Sequence, residues 1–380
     1  MRITSDGATA ALFDVAIVGG GPAGCATAIA LAQDGVRRVL LVEATDYRAV
    51  RIGESIPPIT ARLLERLGVW SAFVAEGHQR CLGSCSAWGS ATLGYNDSLF
   101  NPLGPGWHLD RARFDAWLAG QAAERGTEIW LRTRLEACAR GSAGIRLTVA
   151  REGGARQLVA AHFVVDATGV RSAVARRLGA RRRTLDDLLC VIAFFTLPAA
   201  TEMSQLTLLE AAPDGWWYAA KLPNRRVAVA FAGETDFIKR AGLRAREPFL
   251  AALATTRHIA AQVSECRPPS DAPIACAAPS FMLEPTAGDG WLAVGDAACA
   301  YDPISSQGIH KALTDGLAAA DAIAAARHGS PTALAGYRGD QSARFGRYCA
   351  TRSHFYGLER RWPASPFWRA RQARAALAPG

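Results

Sequence analysis

The sequence predicts an α/β fold in which a Rossmann-type dinucleotide-binding domain is interleaved with a β-sheet substrate domain and followed by a helical C-terminal tail. Three observations predict it. A glycine-rich turn joins an apolar strand to a helix within the first 45 residues. A second apolar strand runs into Gly295-Asp296, so one sheet draws strands from both ends of the chain. No internal repeat or low-complexity linker separates the segments, which argues for interleaved domains and against domains in series.

Taken in order, Asp14-Val15-Ala16-Ile17-Val18 reads as a short buried strand, and a helix follows from Pro22 to Gln33 with small residues on its inner face. Gly35 ends that helix, and residues 38–42 form the second parallel strand. Residues 57–75 read as one helix, with Leu63, Leu64, Leu67 and Trp70 at helical spacing. Between Cys81 and Leu109, short strand-like pieces are broken by Gly and Pro. Residues 111–125 are helical, with Phe114, Trp117, Leu118 and Ala122 on one face. Strands return at 145–150 and 158–165, the second ending in Asp166-Ala167-Thr168-Gly169. Residues 189–285 read as β-rich, from the alternation at 227–231 and the cluster Trp216-Trp217-Tyr218. A buried strand at 291–294 then leads to an alanine-rich helix beginning near Gly308, and the tail from about residue 331 is helical and aromatic. The expected domains are 12–80, 106–188 and 286–330 for dinucleotide binding, 81–105 and 189–285 for the β-rich substrate domain, and 331–380 for the C-terminal segment.

A chain of 380 residues with 50% hydrophobic content can bury a full core, which excludes the disordered classes. Its net charge of +9 is carried almost wholly by arginine, since lysine occurs only at Lys221, Lys239 and Lys311. No basic run interleaves with aromatic residues on a nucleic-acid module, so no nucleic-acid partner is expected, while an acidic partner protein suits the charge. The nine dispersed cysteines read as reduced thiols of a cytoplasmic protein. Cys81 and Cys85 form a C-x3-C pair without the second Cys or His pair that zinc needs, and no metal is expected. Residues 1–13 lack the pattern of a signal peptide, and no apolar run of ~18 residues is present, so no membrane span is expected.

The first motif is Gly19-Gly20-Gly21-Pro22-Ala23-Gly24. Gly19 permits the tight turn, Gly21 admits a pyrophosphate to the backbone, and Gly24 lets the helix pack on the strand. The helix N-terminus supplies free N–H groups and the positive end of its dipole. Glu43, with Ala44 behind it, closes the second strand where an acid accepts hydrogen bonds from ribose hydroxyls. The turn alone does not distinguish FAD from NAD.

Three later motifs do. Leu109-Asp110-Arg111-Ala112-Arg113-Phe114-Asp115, Asp166-Ala167-Thr168-Gly169-Val170-Arg171-Ser172 and Gly295-Asp296 occur in the order found in a large flavoprotein group. The chain resembles that group, which includes aromatic-ring hydroxylases of the p-hydroxybenzoate hydroxylase fold, geranylgeranyl reductases and flavin-dependent halogenases. The resemblance implies a glutathione reductase-like FAD-binding domain in which Arg111 reaches the FAD phosphates, Asp166 and Gly169 border the pyrophosphate, and Asp296 bonds a ribityl hydroxyl. Asp302-Pro303-Ile304-Ser305-Ser306-Gln307-Gly308-Ile309 resembles the loop against the flavin ring, which would place Ser306, Gly308 and Ile309 at the cofactor and His310 beside it. A lone histidine is more often structural, so His310 and Lys221 are the only catalytic candidates, and weak ones by residue type.

Arg51-Ile52-Gly53-Glu54-Ser55-Ile56-Pro57-Pro58 resembles a segment of the halogenase-like branch, which adds Arg51 and Ser55 to the cofactor set. Halogenases of that branch carry a lysine in the first third of the chain, and here none precedes Lys221. They also place a glutamate where Ser305 stands, and their W-x-W-x-I-P signature is degenerate here, as Trp216-Trp217-Tyr218-Ala219-Ala220-Lys221-Leu222-Pro223. The pattern is closest to flavoproteins that mature tryptophylquinone cofactors. It implies a monooxygenase acting through a flavin C4a-hydroperoxide on an indole-type ring, with O2 as co-substrate. NAD(P)H or a reductase would donate electrons transiently, and the substrate would be a small aromatic molecule or a tryptophan in a partner protein. Trp88, Trp107, Trp216, Trp217 and Tyr218 are the pocket candidates, with core packing the alternative for each. Other readings are a halogenase, a prenyl reductase and a non-catalytic FAD-binding partner protein.

Overall fold

The computed structural model describes residues 11–98, 100–141 and 144–375. Residues 1–10, most of the segment read for a signal peptide, and the last five residues of the C-terminal segment lie outside the described residues. The strand Ala11–Val18 runs at the centre of an eight-stranded sheet, parallel to Val39–Val42 on one side and to Arg156–Asp166 on the other. Trp291–Ala293 and Glu128–Trp130 extend the parallel set outward. The register aligns Val18 with Val42 and with Asp166, and Asp166 with Ala293. Four loops therefore leave the sheet at one edge, the position at which open α/β sheets bind ligands.

Both faces of this sheet are covered, which is why its central strand reads as continuous apolar sequence: Val15, Ala16 and Ile17 are all buried. On one face the helices Pro22–Gln33, Arg111–Glu124 and Gly308–Arg327 share a single core. The first and last of these touch through small residues. A Cβ on Gly316 would sit 2.7 Å from the Ala26 Cβ and 2.9 Å from the Ala23 carbonyl oxygen.

A seven-stranded sheet stands beside the first, in the order Ile274–Ala277, Leu188–Thr196, Arg226–Glu234, Gly215–Lys221, Thr207–Ala212, Gly83–Ala87, Gly94–Asp97. Gly83–Ala87 enters it by pairing in parallel with Thr207–Ala212, so segments far apart in sequence share one sheet. The outer face is covered by Thr235–Arg240, Arg246–Ala254 and His258–Gln262, three helices that the β-rich reading of 189–285 does not contain. They are too short for a periodic signal, and Ile238, Phe249 and Ile259 form their contact with the sheet.

The single helix expected over 57–75 is two, Thr60–Arg66 and Trp70–Ala75. Gly68, with φ of 66°, turns the chain between them, while Leu64 and Leu67 stay buried at the positions their spacing indicated. The strand Thr133–Gly141 was not visible in the sequence because it is largely exposed and its side chains do not alternate cleanly. The tail folds as Ala333–Leu358 and Pro366–Ala375 and returns to the second sheet, where Tyr356, Phe367 and Trp368 pack with Leu188, Trp216 and Ala232. Among the described residues no helix is long and apolar enough to cross a membrane.

Gly316→Val should force the two facing helices apart and cost about 1–3 kcal/mol, as overpacking typically does. Thermal unfolding is the measurement, and an unchanged melting temperature would show that the contact is looser than the geometry indicates.

Candidate functional site

The loops at the shared sheet edge and the inner face of the second sheet enclose a cavity of about 710 Å³, within the range of cofactor sites. Gly19 adopts φ of 112°, and a side chain on it would overlap the Ala167 carbonyl. A side chain on Gly24 would overlap the carbonyl of Gly19. These two glycines bring the turn, the helix and the middle motif into contact. Gly21 differs, because a Cβ there meets nothing within 4 Å and the residue opens onto the cavity with Pro22 and Ala23. The helix Pro22–Gln33 has no side-chain cap, so its first N–H groups remain available to an anion.

At the end of the second strand Glu43 is buried and held by the protein. Its Oε2 accepts from Gly20 N–H at 2.8 Å, and its Oε1 accepts from Thr45 and from Arg51 at 3.1 Å. Ala44, Arg51 and Ser55 complete this side of the wall. Arg111 lines the cavity too, but Asp115 and the carbonyls of Ile52 and Gly53 engage its guanidinium. It thus holds the 52–55 segment in the wall and does not stand free for a phosphate. Ser55 Oγ lies 2.9 Å from Tyr218 Oη, joining that segment to the second sheet.

Gly295 and Asp296 lie across the cavity. Lys311, the one lysine buried here, donates to the Gly295 carbonyl at 2.7 Å and to Asp315 at 2.8 Å, while Asp315 accepts from Gly295 N–H at 3.0 Å. Burial works against the Lys311 charge, but Asp315 prevails and keeps it protonated. Sequence reasoning missed this clamp; the signal was a Lys and an Asp at i,i+4 on the helix behind the motif. Burial raises the pKa of Asp296, with Lys311 and Arg111 opposing. No hydrogen bond to its carboxylate is found among the described residues, so it faces the cavity able to accept one from a ligand hydroxyl.

Ser306, Gly308 and Ile309 line the cavity, and the helix Gly308–Arg327 also begins without a side-chain cap. Two helix N-termini therefore open on the same space, and Gly169 is part of its wall. An uncapped cradle, an unpartnered carboxylate and two positive dipole ends fit a dinucleotide carrying a polyol and a redox ring.

Several expected site residues lie elsewhere. Asp166 does not line the cavity: its carboxylate accepts from the N–H groups of Thr168, Val174 and Ala175 and so shapes the turn internally. His310 lies outside the wall with Nδ1 3.3 Å from Thr60 Oγ1, and burial lowers its pKa. Lys221 is also outside, its amine 3.9 Å from Glu202. Trp217 points to the opposite face of its strand from Trp216 and Tyr218 and packs on Phe231 and Phe249, because strand side chains alternate. Trp88 donates to the Phe355 carbonyl at 2.7 Å and packs on Trp368, and Trp107 packs on Trp70 and Phe73. Of the aromatic candidates, Trp216 and Tyr218 face the cavity.

The tail reaches the site through Asp302, which opens the loop leading to Ser306 and Gly308 and is fully buried in the wall. Its Oδ2 accepts from Tyr356 Oη at 2.8 Å and from Arg352 Nε at 3.3 Å, and Arg352 also pairs with Asp186. Tyr356 Oη accepts in turn from the indole N–H of Trp216 at 3.1 Å. One hydrogen-bonded chain thus ties the tail, the loop and the aromatic wall. Among the described residues no group of three or more His, Cys, Asp or Glu is placed to hold a metal.

A parallel sheet with this cradle, roofed by a second sheet, defines a flavin-dependent oxidoreductase. The chain belongs to the FAD binding domain family, whose profile matches residues 13–348. It is 30% identical over 369 residues to the putative FAD-dependent oxidoreductase LodB of Marinomonas mediterranea, across 96% of this chain and 98% of that protein. It is 28% identical to the sulochrin halogenase gedL of Aspergillus terreus, across 83% of this chain and 63% of that longer enzyme. Of solved structures, the flavin-dependent halogenase CmlS matches with a TM-score of 0.85 at 26% identity, over 96% of this chain and 68% of its own. The fold is shared with the peptidyl tryptophan dihydroxylase QhpG, described as essential for tryptophylquinone cofactor biogenesis, at a TM-score of 0.73 and 23% identity over 95% of this chain and 79% of that one.

Asp296→Ala and Arg111→Ala should each weaken FAD retention by about 1–3 kcal/mol, roughly five- to 150-fold, the first by removing an acceptor and the second by releasing the 52–55 wall. Flavin titration of the apoprotein measures this, and unchanged occupancy in both variants would contradict the assigned geometry. Arg352→Met should cost about 3–5 kcal/mol in thermal unfolding, because it strands two buried carboxylates, whereas Tyr356→Phe should cost about 1 kcal/mol.

Proposed function

We propose that the protein is an FAD-dependent monooxygenase that inserts oxygen into an electron-rich aromatic ring, with a tryptophan side chain of a partner protein as the substrate. The observation that carries this is the division of the cavity. Glu43, Arg51, Arg111 and Asp296 reach it from the loops and helices around the Rossmann-type sheet, while Trp216, Tyr218, Ile192, Ala230 and Ala232 come from strands of the second sheet and give it a largely apolar wall. No lysine lines the cavity among the described residues. Such a pocket positions an apolar ring and excludes water, which is most of what oxygen transfer to a reactive ring needs.

FAD, when bound, supplies the two-electron chemistry and the reaction with O2. The residues of the chain do the rest. Trp216 is fixed by Tyr356 and Tyr218 by Ser55, so the aromatic wall keeps its shape while the ring enters. The N-terminus of Gly308–Arg327 favours negative charge that develops beside the loop. NAD(P)H or a partner reductase is the electron source in this reading. The relation to LodB over nearly the full length of both chains supports FAD-dependent redox chemistry, and the peptidyl tryptophan named for QhpG, which shares the fold, motivates a protein-borne substrate. The net charge of +9 suits an acidic partner surface.

Reduced holoenzyme mixed with a tryptophan-containing peptide should consume O2 and add oxygen to the indole. Consumption that does not depend on the peptide, or a halogenated product when halide is present, would overturn this reading. Trp216→Ala should lower coupled turnover about tenfold or more and release hydrogen peroxide instead, because the ring loses its placement.

A further inference from the structure

A second, smaller cleft of about 170 Å³ adjoins the main cavity and reaches solvent at Arg48 and Val50, which are 84% and 49% exposed. Three residues belong to the walls of both spaces: Arg51, Glu54 and Arg111. The two arginines are paired with Asp115 and stay protonated throughout the accessible pH range, so neither relays a proton. Glu54 is the remaining group between cleft and cavity. It is 4% exposed, and its Oε1 has no hydrogen-bond partner.

The backbone explains why this carboxyl stays in place. The Glu54 carbonyl accepts from Leu109 N–H at 2.8 Å, and Ser55 and Ile56 pair with His108 and Trp107 as a short antiparallel ladder. Arg111 holds the carbonyls of the two preceding residues. An unpaired oxygen at such a rigid position costs free energy, and its presence there calls for a functional reason.

We propose that Glu54 is the proton-transfer residue of this site, passing a proton from the solvent-open cleft into the flavin cavity. The inference rests on the oxygenase reading for the identity of the reaction that uses the proton. Hydroxylation with a nicotinamide donor runs as NAD(P)H + H⁺ + O2 + ArH → NAD(P)⁺ + ArOH + H2O. Two electrons leave the donor, one oxygen atom enters the ring and the other leaves as water. One proton must therefore reach a cavity built to exclude water.

The surroundings suit a carboxyl that alternates between its two forms. Burial raises the pKa of Glu54, while hydrogen bonding to nearby backbone N–H groups, the Arg111 charge and the neighbouring His108 ring oppose that shift. The other charged or titratable neighbours are Arg51 in the shared wall, Arg48, Asp110 and Arg226 along the cleft, and Tyr218 and Cys190; burial pushes the last two upward, so they stay neutral at physiological pH. A carboxyl that loads from water in the cleft and unloads into the cavity is thus the proton-exchanging group in the wall between the two spaces.

The test uses Glu54→Gln, which keeps shape and loses the exchangeable proton, and Glu54→Asp, which keeps the proton. Rapid mixing of the oxidised holoprotein with reduced methyl viologen, a donor of electrons without protons (FAD + 2 MV⁺• + H⁺ → FADH⁻ + 2 MV²⁺), draws one proton from solution without substrate or O2, and an indicator dye in unbuffered solution follows its uptake. Uptake should slow about 100-fold in Glu54→Gln and recover most of its rate in Glu54→Asp. The infrared difference between oxidised wild-type and Glu54→Gln holoproteins should contain a carboxylic-acid C=O band whose loss on raising the pH reports Glu54. Wild-type uptake rates in Glu54→Gln, or an infrared difference without such a band, would overturn the assignment. Because neither readout involves an aromatic substrate, failure here leaves the oxygenase reading standing, and failure of peptide oxygenation leaves the Glu54 result standing.

Discussion

Two helices that begin 286 residues apart meet through side chains no larger than a methyl group, and the site depends on that contact. Gly316 abuts Ala23 and Ala26, and a Cβ on Gly295 would lie 2.8 Å from that of Ala23. With larger side chains at this seam the helices would separate, and their N-termini would no longer open on one cavity. Their proximity concentrates the positive ends of two macrodipoles where a pyrophosphate and a reduced flavin ring carry negative charge. The alanine-rich composition of both helices is a condition for this geometry as well as a contribution to helix propensity.

Charge inside the site is organised by pairing. Lys311 and Asp315, with Arg344 pairing to Asp315 from the side, grip Gly295 by both its N–H and its carbonyl, and Arg51, Arg111, Glu43 and Asp115 form a second, largely buried cluster across the cavity. A buried ion pair contributes little net stability because desolvation offsets the attraction. What it supplies here is position, since losing one partner would leave an uncompensated charge. Against this background the unpaired groups become informative. Asp296 faces the cavity without a hydrogen-bond donor among the described residues, and Glu54 has an orphaned oxygen between two spaces.

The C-terminal segment is part of the site and not an appendage. Asp302 is reached by Tyr356 and Arg352 from a helix that starts near the Rossmann-type sheet and ends against the second one. The same tyrosine fixes Trp216, so the loop from Asp302 to Ile309 and the aromatic wall share one anchor. This coupling gives the aromatic and arginine-rich tail a structural role that its composition alone leaves undefined.

Sequence by itself determined the elements whose signals are local. The helix Pro22–Gln33 is bounded as its glycine turn and spacing indicated, and the helix from Gly308 begins where its loop motif ends. Gly21, Glu43, Gly295 and the Ser306–Ile309 stretch reach the cavity because their motifs tie residue type to backbone position. Only the tertiary structure decided which of three consecutive aromatic residues faces the site, since a period of two assigns alternate sides without saying which side is the cavity. It likewise turned Asp166 inward to its own turn and placed Lys221 and His310 away from the wall. It set Glu54 in the cavity wall and Arg352 behind it, although nothing adjacent to them in the chain reports a buried polar role, and it turned the i,i+4 pair of Lys311 and Asp315 into a clamp on Gly295. Motifs encode local backbone geometry, whereas the partner of a buried charge is chosen by contacts between segments hundreds of residues apart.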